Sequence, residues 1–380
     1  MTEDRREPIL LTPGPLTTSR ETKRAMLRDW GSRDPAFIEL NRRVRARLLA
    51  MAGAAGSHVC VPVQGSGTFA VEATLGTLVP PEGKVAVLVN GAYGRRMARI
   101  CAVHGRAHAI LETPEDVPND PAALDRALAD DAEVSHVAAV HCETTSGILN
   151  PIADIASVTA GHGRGLLIDA MSSFGALALD ARELRFDALI ASANKCLEGA
   201  PGMGFALCRE AALAPCEGRA RSLSLDLHDQ WVAMQANGQW RFTPPTHVIA
   251  ALDQALDEHA AEGGVAGRGA RYAENCRILV QGMAALGFET LLPDHLQAPI
   301  IVTFRMPADP RFVFADFYDR LAKRGSLIYP GKLTVAESFR IGCIGRIGAA
   351  EMQGALEAIG AVLTQMGVAD GRPPQQEAFS

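Results

Sequence analysis

The sequence contains no CxxC pair. Its eight cysteines, at 60, 101, 142, 196, 208, 216, 276 and 343, are scattered, and several stand in apolar runs. That distribution excludes a zinc ribbon or a disulfide framework and predicts reduced core thiols. No apolar span reaches 18 residues, and the run inside the opening MTEDRREPILLTPGPL is too short for a signal peptide. The chain is therefore expected to be cytoplasmic, with no membrane partner. An excess of basic charge is also missing: 37 Lys and Arg against 43 Asp and Glu leave a net charge of −6. This argues against a nucleic-acid or anionic-surface partner. There is no HExxH motif; His104 and His108 stand four apart, but Gly105 interrupts them and no Glu follows the first. No metal is expected there. Internal repeats and low-complexity blocks are absent as well.

What is present is 380 residues, 48% hydrophobic and 21% charged, enough for a large core shared by more than one domain. Residues 36–52 carry Leu40, Val44, Leu48 and Met51 at helical spacing, with Arg42, Arg43, Arg45 and Arg47 on what reads as a wet face. Apolar strands are expected at 58–63, 84–89, 136–141, 165–169, 187–192 and 204–208, with helices at 68–79, 93–104, 122–131 and 152–162 between several of them. Alternation of this kind predicts an α/β fold with a mostly parallel sheet covered on both faces. The pattern changes after about residue 215. A long helix at 266–286, a strand in 298–304, a helix near 312–324, the segments SLIYPG and SFRIG, and a helix at 349–366 suggest a smaller α+β unit. The expected division is a large domain at 18–258 and a small one combining 1–17 with 259–366. The polar tail 367–380 is expected to fray.

Three features could carry chemistry. VPVQGSGTFAVEATLG (61–76) follows a strand and opens a helix. Gly65 and Gly67 let backbone approach an anion, the helix N-terminus supplies free N–H groups, and Ser66 and Thr68 add hydroxyls. The stretch also fits a dinucleotide pattern, but the next strand ends in Asn90-Gly91 rather than an acid, which weakens that reading; a plain tight turn is the bland alternative. Two further apolar strands end in charge: LLID in Asp169, and ALIASAN in Lys195. In a parallel sheet, ligands bind beyond such strand ends. A lysine there can form a Schiff base with a carbonyl, and an aspartate can keep a pyridine nitrogen protonated. With a phosphate cradle these are the parts that pyridoxal phosphate requires. Alone, either charge would be read as a solvated loop residue. Cys196, beside Lys195, is read as inert packing.

The chain resembles the class V, fold-type I aminotransferases over nearly its whole length. The markers are LLTPGPLTTS, QGSGTFAVEA, NGAYG, HCETTSGILNP, DAMSSFGA, SANKCLEGAPGMGF, RSLSLDLHDQW, WRFTPPTH, EGGVAGRGARY, IYPGKLT and SFRIG. The resemblance implies the fold-type I architecture, a large domain with a seven-stranded type of sheet plus a smaller α+β domain, with pyridoxal 5'-phosphate as cofactor. It implies Lys195 as the Schiff-base lysine and Asp169 as the pyridinium partner. Tyr93 would stack on one ring face and Met171 cover the other. Thr144 would donate to the ring hydroxyl, and Ser66, Gly67, Thr68 and Asn194 would form the phosphate or near-lysine set. Arg340 would grip the substrate anion, and Thr243 would reach the cofactor phosphate of a neighbouring subunit in a homodimer with shared sites.

SLSLDLHDQW and WRFTPPTH resemble the branch that moves the amino group of 2-aminoethylphosphonate to pyruvate. One departure stands at 31–34, where GSRD replaces the CTWD-like segment of that branch and resembles the alanine–glyoxylate branch instead. An alanine–glyoxylate or serine–pyruvate type transaminase is therefore the alternative. Cysteine desulfurase is disfavoured, since GKLTVAESF before Arg340 has no cysteine. A non-catalytic relative is opposed by the presence of Asp169, Lys195 and Arg340 together.

Overall fold

The computed structural model describes residues 7–333 and 336–374. Seven strands form the main sheet: β1 (His58–Gln64), β2 (Lys84–Val89), β3 (Ala107–Glu112), β4 (Val134–Val140), β5 (Gly165–Asp169), β6 (Ala188–Ser192) and β7 (Met203–Arg209). Their order across the sheet is β1-β7-β6-β5-β4-β2-β3. Only β7 is antiparallel to its neighbours, β1 and β6, so the other strands all point the same way. Successive side chains of a strand face opposite sides. Thus Leu166 and Ile168 of β5 join one core and Leu167 the other.

The first core is covered by α1 (Pro35–Met51), through Phe37, Val44 and Leu48, and the second by α2 (Gly67–Leu78) and α3 (Ala92–Val103), through Leu75, Met97 and Cys101. Each fully buried Leu or Ile contributes about 1.5–3 kcal/mol. Burial on both faces explains why these strands read as near-continuous apolar runs.

β3 is not among the strands expected from the sequence. It lies at the sheet edge and mixes half-buried with exposed residues, so AHAILE shows no long apolar run. The expected wet face of α1 is also corrected in part. Arg43 and Arg47 pair with Asp253, and Arg47 also with Asp257, both acids on α4 (Thr246–Ala261). Arg45 Nε donates to the Cys60 carbonyl at 2.8 Å. Arg42 remains exposed and pairs with Glu39 of its own helix.

After α4 comes α5 (Gly264–Ala285), and then a three-stranded antiparallel sheet of β8 (Ile301–Arg305), β9 (Tyr329–Pro330) and β10 (Ser338–Gly342), in the order β8-β10-β9. α5 and α6 (Ala349–Met366) cover it, with Leu279, Met283, Phe304, Phe339 and Ile359 in a third core. The N-terminal segment joins this layer, because Ile9–Leu10 pairs in parallel with Ser326–Leu327.

The expected frayed tail is corrected as far as residue 374. Val368 is buried, the Gly371 N–H donates to the Leu286 carbonyl, and the Arg372 carbonyl accepts from Ala308. Residues 375–380 of that tail lie outside the described residues. All eight cysteines are free and buried. Among the described residues no helix is long and apolar enough to cross a membrane.

Candidate active site

The six parallel strands of the main sheet deliver their carboxyl ends to one edge. Ser66 follows β1 and is the N-cap of α2, yet its hydroxyl makes no capping bond and stays available. A 12-residue helix starting there presents unpaired N–H groups and its positive dipole end. Gly67 leaves no room for a side chain: a Cβ would meet Met171 Sδ at 2.2 Å. Gly65 adopts φ +127°, a conformation that glycine takes without penalty.

Asp169 is the last residue of β5 and is buried. Its Oδ1 accepts the Met171 N–H at 2.9 Å. Burial pushes its carboxyl up to about 6, partly offset by that hydrogen bond. Lys195 sits in the turn after β6, and burial holds its ammonium below the ordinary lysine range. Its Nζ donates to the Pro13 carbonyl, and among the described residues no carboxylate pairs with it. Gly14 packs so closely on this side chain that a Cβ would lie 2.8 Å from Nζ. The TPGP segment at 12–15 is thus a wall of the site. The sequence alone assigns it no role, although a Gly between two prolines is an available signal.

Ser66, Gly67, Thr68, Tyr93, Asp169, Met171, Asn194 and Lys195 all line one cavity of about 200 Å³. Thr144 and Arg340 meet each other beside it in the fold: Arg340 Nη1 donates to the Thr144 carbonyl at 2.7 Å and Nε to the Pro330 carbonyl at 3.1 Å. Arg340 Nη2 carries no hydrogen bond to a described residue. Burial lowers this guanidinium from its usual range. Thr243 is placed elsewhere. It is exposed on the loop before α4 and lines a neighbouring groove of about 510 Å³ with Gly65, Phe69 and Phe242. None of residues 31–34 lines the cavity. Asp34 caps α1 by accepting the Ala36 N–H, and α1 in turn packs on the Thr243 loop, with Trp240 Nε1 donating to Asn41 at 3.2 Å.

Two supporting groups are not apparent from the sequence. Glu143 is buried and accepts N–H bonds from Tyr93 at 3.1 Å and Thr145 at 3.0 Å. It fills the place of an N-cap for α3, because Gly91 has no side chain there and a Cβ on Gly91 would strike Glu143 at 2.5 Å. The orientation of Tyr93 follows from that cap. Glu198, three residues after Lys195, is the one non-glycine among the described residues with positive φ, at 58°. It is buried and accepts from Tyr272 Oη at 2.6 Å and Arg271 Nη2 at 2.7 Å. Arg268 donates to the Cys196 carbonyl at 2.6 Å. All three partners stand on α5, so this helix grips the lysine turn. Cys196 is packing, with burial raising its thiol to about 12.

The residues present fit pyridoxal phosphate on several independent counts. A half-buried amine without a carboxylate partner and a buried carboxylate share the cavity. The Ser192 and Thr144 hydroxyls are buried with no hydrogen-bond partner in the protein. A free helix N-terminus closes one side. These groups would hold, respectively, the aldehyde, the ring nitrogen, the ring substituents and the phosphate.

Comparison with known proteins points the same way. The family model described as "Aminotransferase class-V" matches residues 21–329. A 2-aminoethylphosphonate–pyruvate transaminase of Pseudomonas putida is 58% identical over 363 residues, 96% of this chain and 99% of that protein. Among solved structures, the alanine–glyoxylate aminotransferase of Nostoc sp. superposes with a TM-score of 0.88 at 23% identity, covering 96% of this chain and 97% of the other. The pyridoxamine–pyruvate aminotransferase of Mesorhizobium loti gives 0.87 at 26% identity, covering 96% and 94%.

The raised carboxyl of Asp169 has a consequence for the cofactor-free protein. The unfolded chain releases this proton near the ordinary aspartate value of 3.8 and the folded chain near 6. Between those values the folded state binds more protons, so stability falls as pH rises through the window and stays lower above it. Asp169→Asn removes the effect. The cofactor-free variant should be more stable than wild type at pH 8 by about 1–3 kcal/mol in urea unfolding, a gap that narrows toward pH 4. An equal midpoint at pH 8 would contradict a buried, charged Asp169.

Proposed function

The chain belongs to the class-V aminotransferases, and on that premise we propose that it moves the amino group of 2-aminoethylphosphonate to pyruvate, giving phosphonoacetaldehyde and alanine. The observation that carries the reading is the cavity that holds Lys195 and buried Asp169 together beside a free helix N-terminus. When bound, pyridoxal 5'-phosphate supplies a carbonyl that accepts the amino group and a ring that takes up the electrons released at the donor carbon.

The chain's own residues do the rest. Asp169 holds the ring-nitrogen proton. Burial lowers the Lys195 ammonium from its usual range and so favours the free base, which takes the proton from the amine-bearing carbon of the donor. In the second half-reaction it delivers a proton to the former carbonyl carbon of pyruvate. Tyr93 and Met171 hold the ring from its two faces. Arg340 Nη2 is the donor left for the substrate anion, and a guanidinium serves phosphonate and carboxylate in turn.

Support for a site shared between two chains comes from Thr243. On a lone chain it stands over the neighbouring groove, where Phe69 and Phe242 are about half exposed. Apolar rings flanking an exposed hydroxyl suit an isologous contact in which each loop reaches the other chain's phosphate end.

The activity is tested by a donor screen with pyruvate: 2-aminoethylphosphonate should give a far higher kcat/KM than serine or taurine. A preference for serine, or for alanine with glyoxylate as acceptor, would establish the alternative branch. Borohydride reduction of the loaded protein should fix the cofactor on the peptide containing Lys195, and label on any other lysine would overturn that assignment. The shared site predicts a dimer that cofactor reinforces in dilution-series sedimentation. It also predicts several-fold weaker cofactor binding in Thr243→Ala. A fully active monomer would reject the arrangement.

A further inference from the structure

Two of the residues lining the Lys195 cavity are cationic by type, and burial holds one of them, Lys195, below its usual range. The other is Arg96, on α3 one turn after Tyr93. Its neighbour Arg95 is spent on Glu112 and Glu115, whereas Arg96 makes no ion pair among the described residues. Arg96 Nη1 donates to Thr68 Oγ1 at 3.0 Å, and its guanidinium lies over the Tyr93 ring at 4.8 Å. The cation is thus held against the first turn of α2, where Ser66 and Thr68 offer only neutral donors.

A phosphate monoester carries about −1.5 to −2 charges near pH 7. Hydroxyls and a helix N-terminus offer it hydrogen bonds and a partial charge, and a full counter-charge is what makes a half-buried dianion tolerable. Arg340 does not supply one here, since it does not line this cavity and is tied to the Pro330 and Thr144 carbonyls. The geometry points to Arg96 as the counter-charge for the cofactor phosphate, reaching it from beside Thr68 while stacking on Tyr93. The assignment rests on the reading of this cavity as the pyridoxal phosphate site. It sets Arg96 apart from a residue that merely steadies Tyr93, because that role would be blind to the phosphate.

Pyridoxal separates the two roles, since it has the same ring and aldehyde without the phosphate. Cofactor-free wild type, Arg96→Gln and Arg96→Lys are each titrated with pyridoxal 5'-phosphate and with pyridoxal, following the absorbance of the Lys195 adduct. Arg96→Gln should weaken pyridoxal 5'-phosphate by about tenfold to a hundredfold, the span expected for a charge-assisted hydrogen bond, and leave pyridoxal within about twofold. Arg96→Lys should recover part of the loss, and added salt should erode the wild-type preference for the phosphorylated ligand. Capture of pyridoxal by the variant also shows that it is folded. An equal loss for both ligands overturns the proposal in favour of Tyr93 support, and unchanged affinity for both overturns it outright. A wild type that captures neither ligand at Lys195 overturns the reading of the cavity itself, and the assignment of Arg96 with it.

Discussion

A primary amine held largely out of water without a carboxylate partner is the constraint around which this protein is arranged. Lys195 would be protonated in water, and taking an ammonium out of water without a partner is costly. Burial therefore shifts the amine toward its neutral form, which is the form that can act as nucleophile and base. To keep it there, the sheet must end two apolar strands in charge, the TPGP segment must lie against the side chain, and Gly14 must carry no Cβ.

The support for that lysine comes from the C-terminal half of the chain. Buried Glu198, Arg268 and Tyr272 with half-buried Arg271 and Glu262 form a cluster that links α5 to the turn holding Lys195. Such clusters add little net stability compared with apolar packing, but losing one member strands the rest. The Glu198 backbone sits at positive φ, a conformation that a non-glycine residue keeps only where its surroundings enforce it. On the other side, Glu143 performs a similar service for α3, setting Tyr93 and, one turn later, Arg96. Tyr93 and the Lys195 turn are thus each set by a buried carboxylate, Glu143 and Glu198, and neither carboxylate lines the cavity.

Much of this is legible in the amino-acid sequence, for a physical reason. Strands buried on both faces are written as apolar runs, so a charge that closes such a run stands out; Asp169 and Lys195 are visible that way. The glycines of QGSGT are visible because close backbone approach demands them. β3 is not, since an edge strand half open to water loses the apolar run. Arg43 and Arg47 read as a wet face because their partners on α4 lie some 200 residues away. The Glu198 cluster is hidden by the same rule in reverse: charge in a sequence is read as surface, and only three-dimensional pairing makes it core. Arg96 does not stand out because arginines on a helix are common, and nothing in one chain's letters tells a spent one from a free one.

The parallel pairing of Ile9–Leu10 with Ser326–Leu327 joins positions roughly 300 residues apart, and the segment it anchors runs straight on to Pro13 and Gly14 against the lysine. Closing so long a loop costs chain entropy that local contacts cannot offset in advance. During synthesis, the N-terminal segment must wait until residues 326–327 have been made before its strand partner exists. The wall over Lys195 is then anchored only after the whole main sheet has been synthesised, so the amine becomes enclosed late.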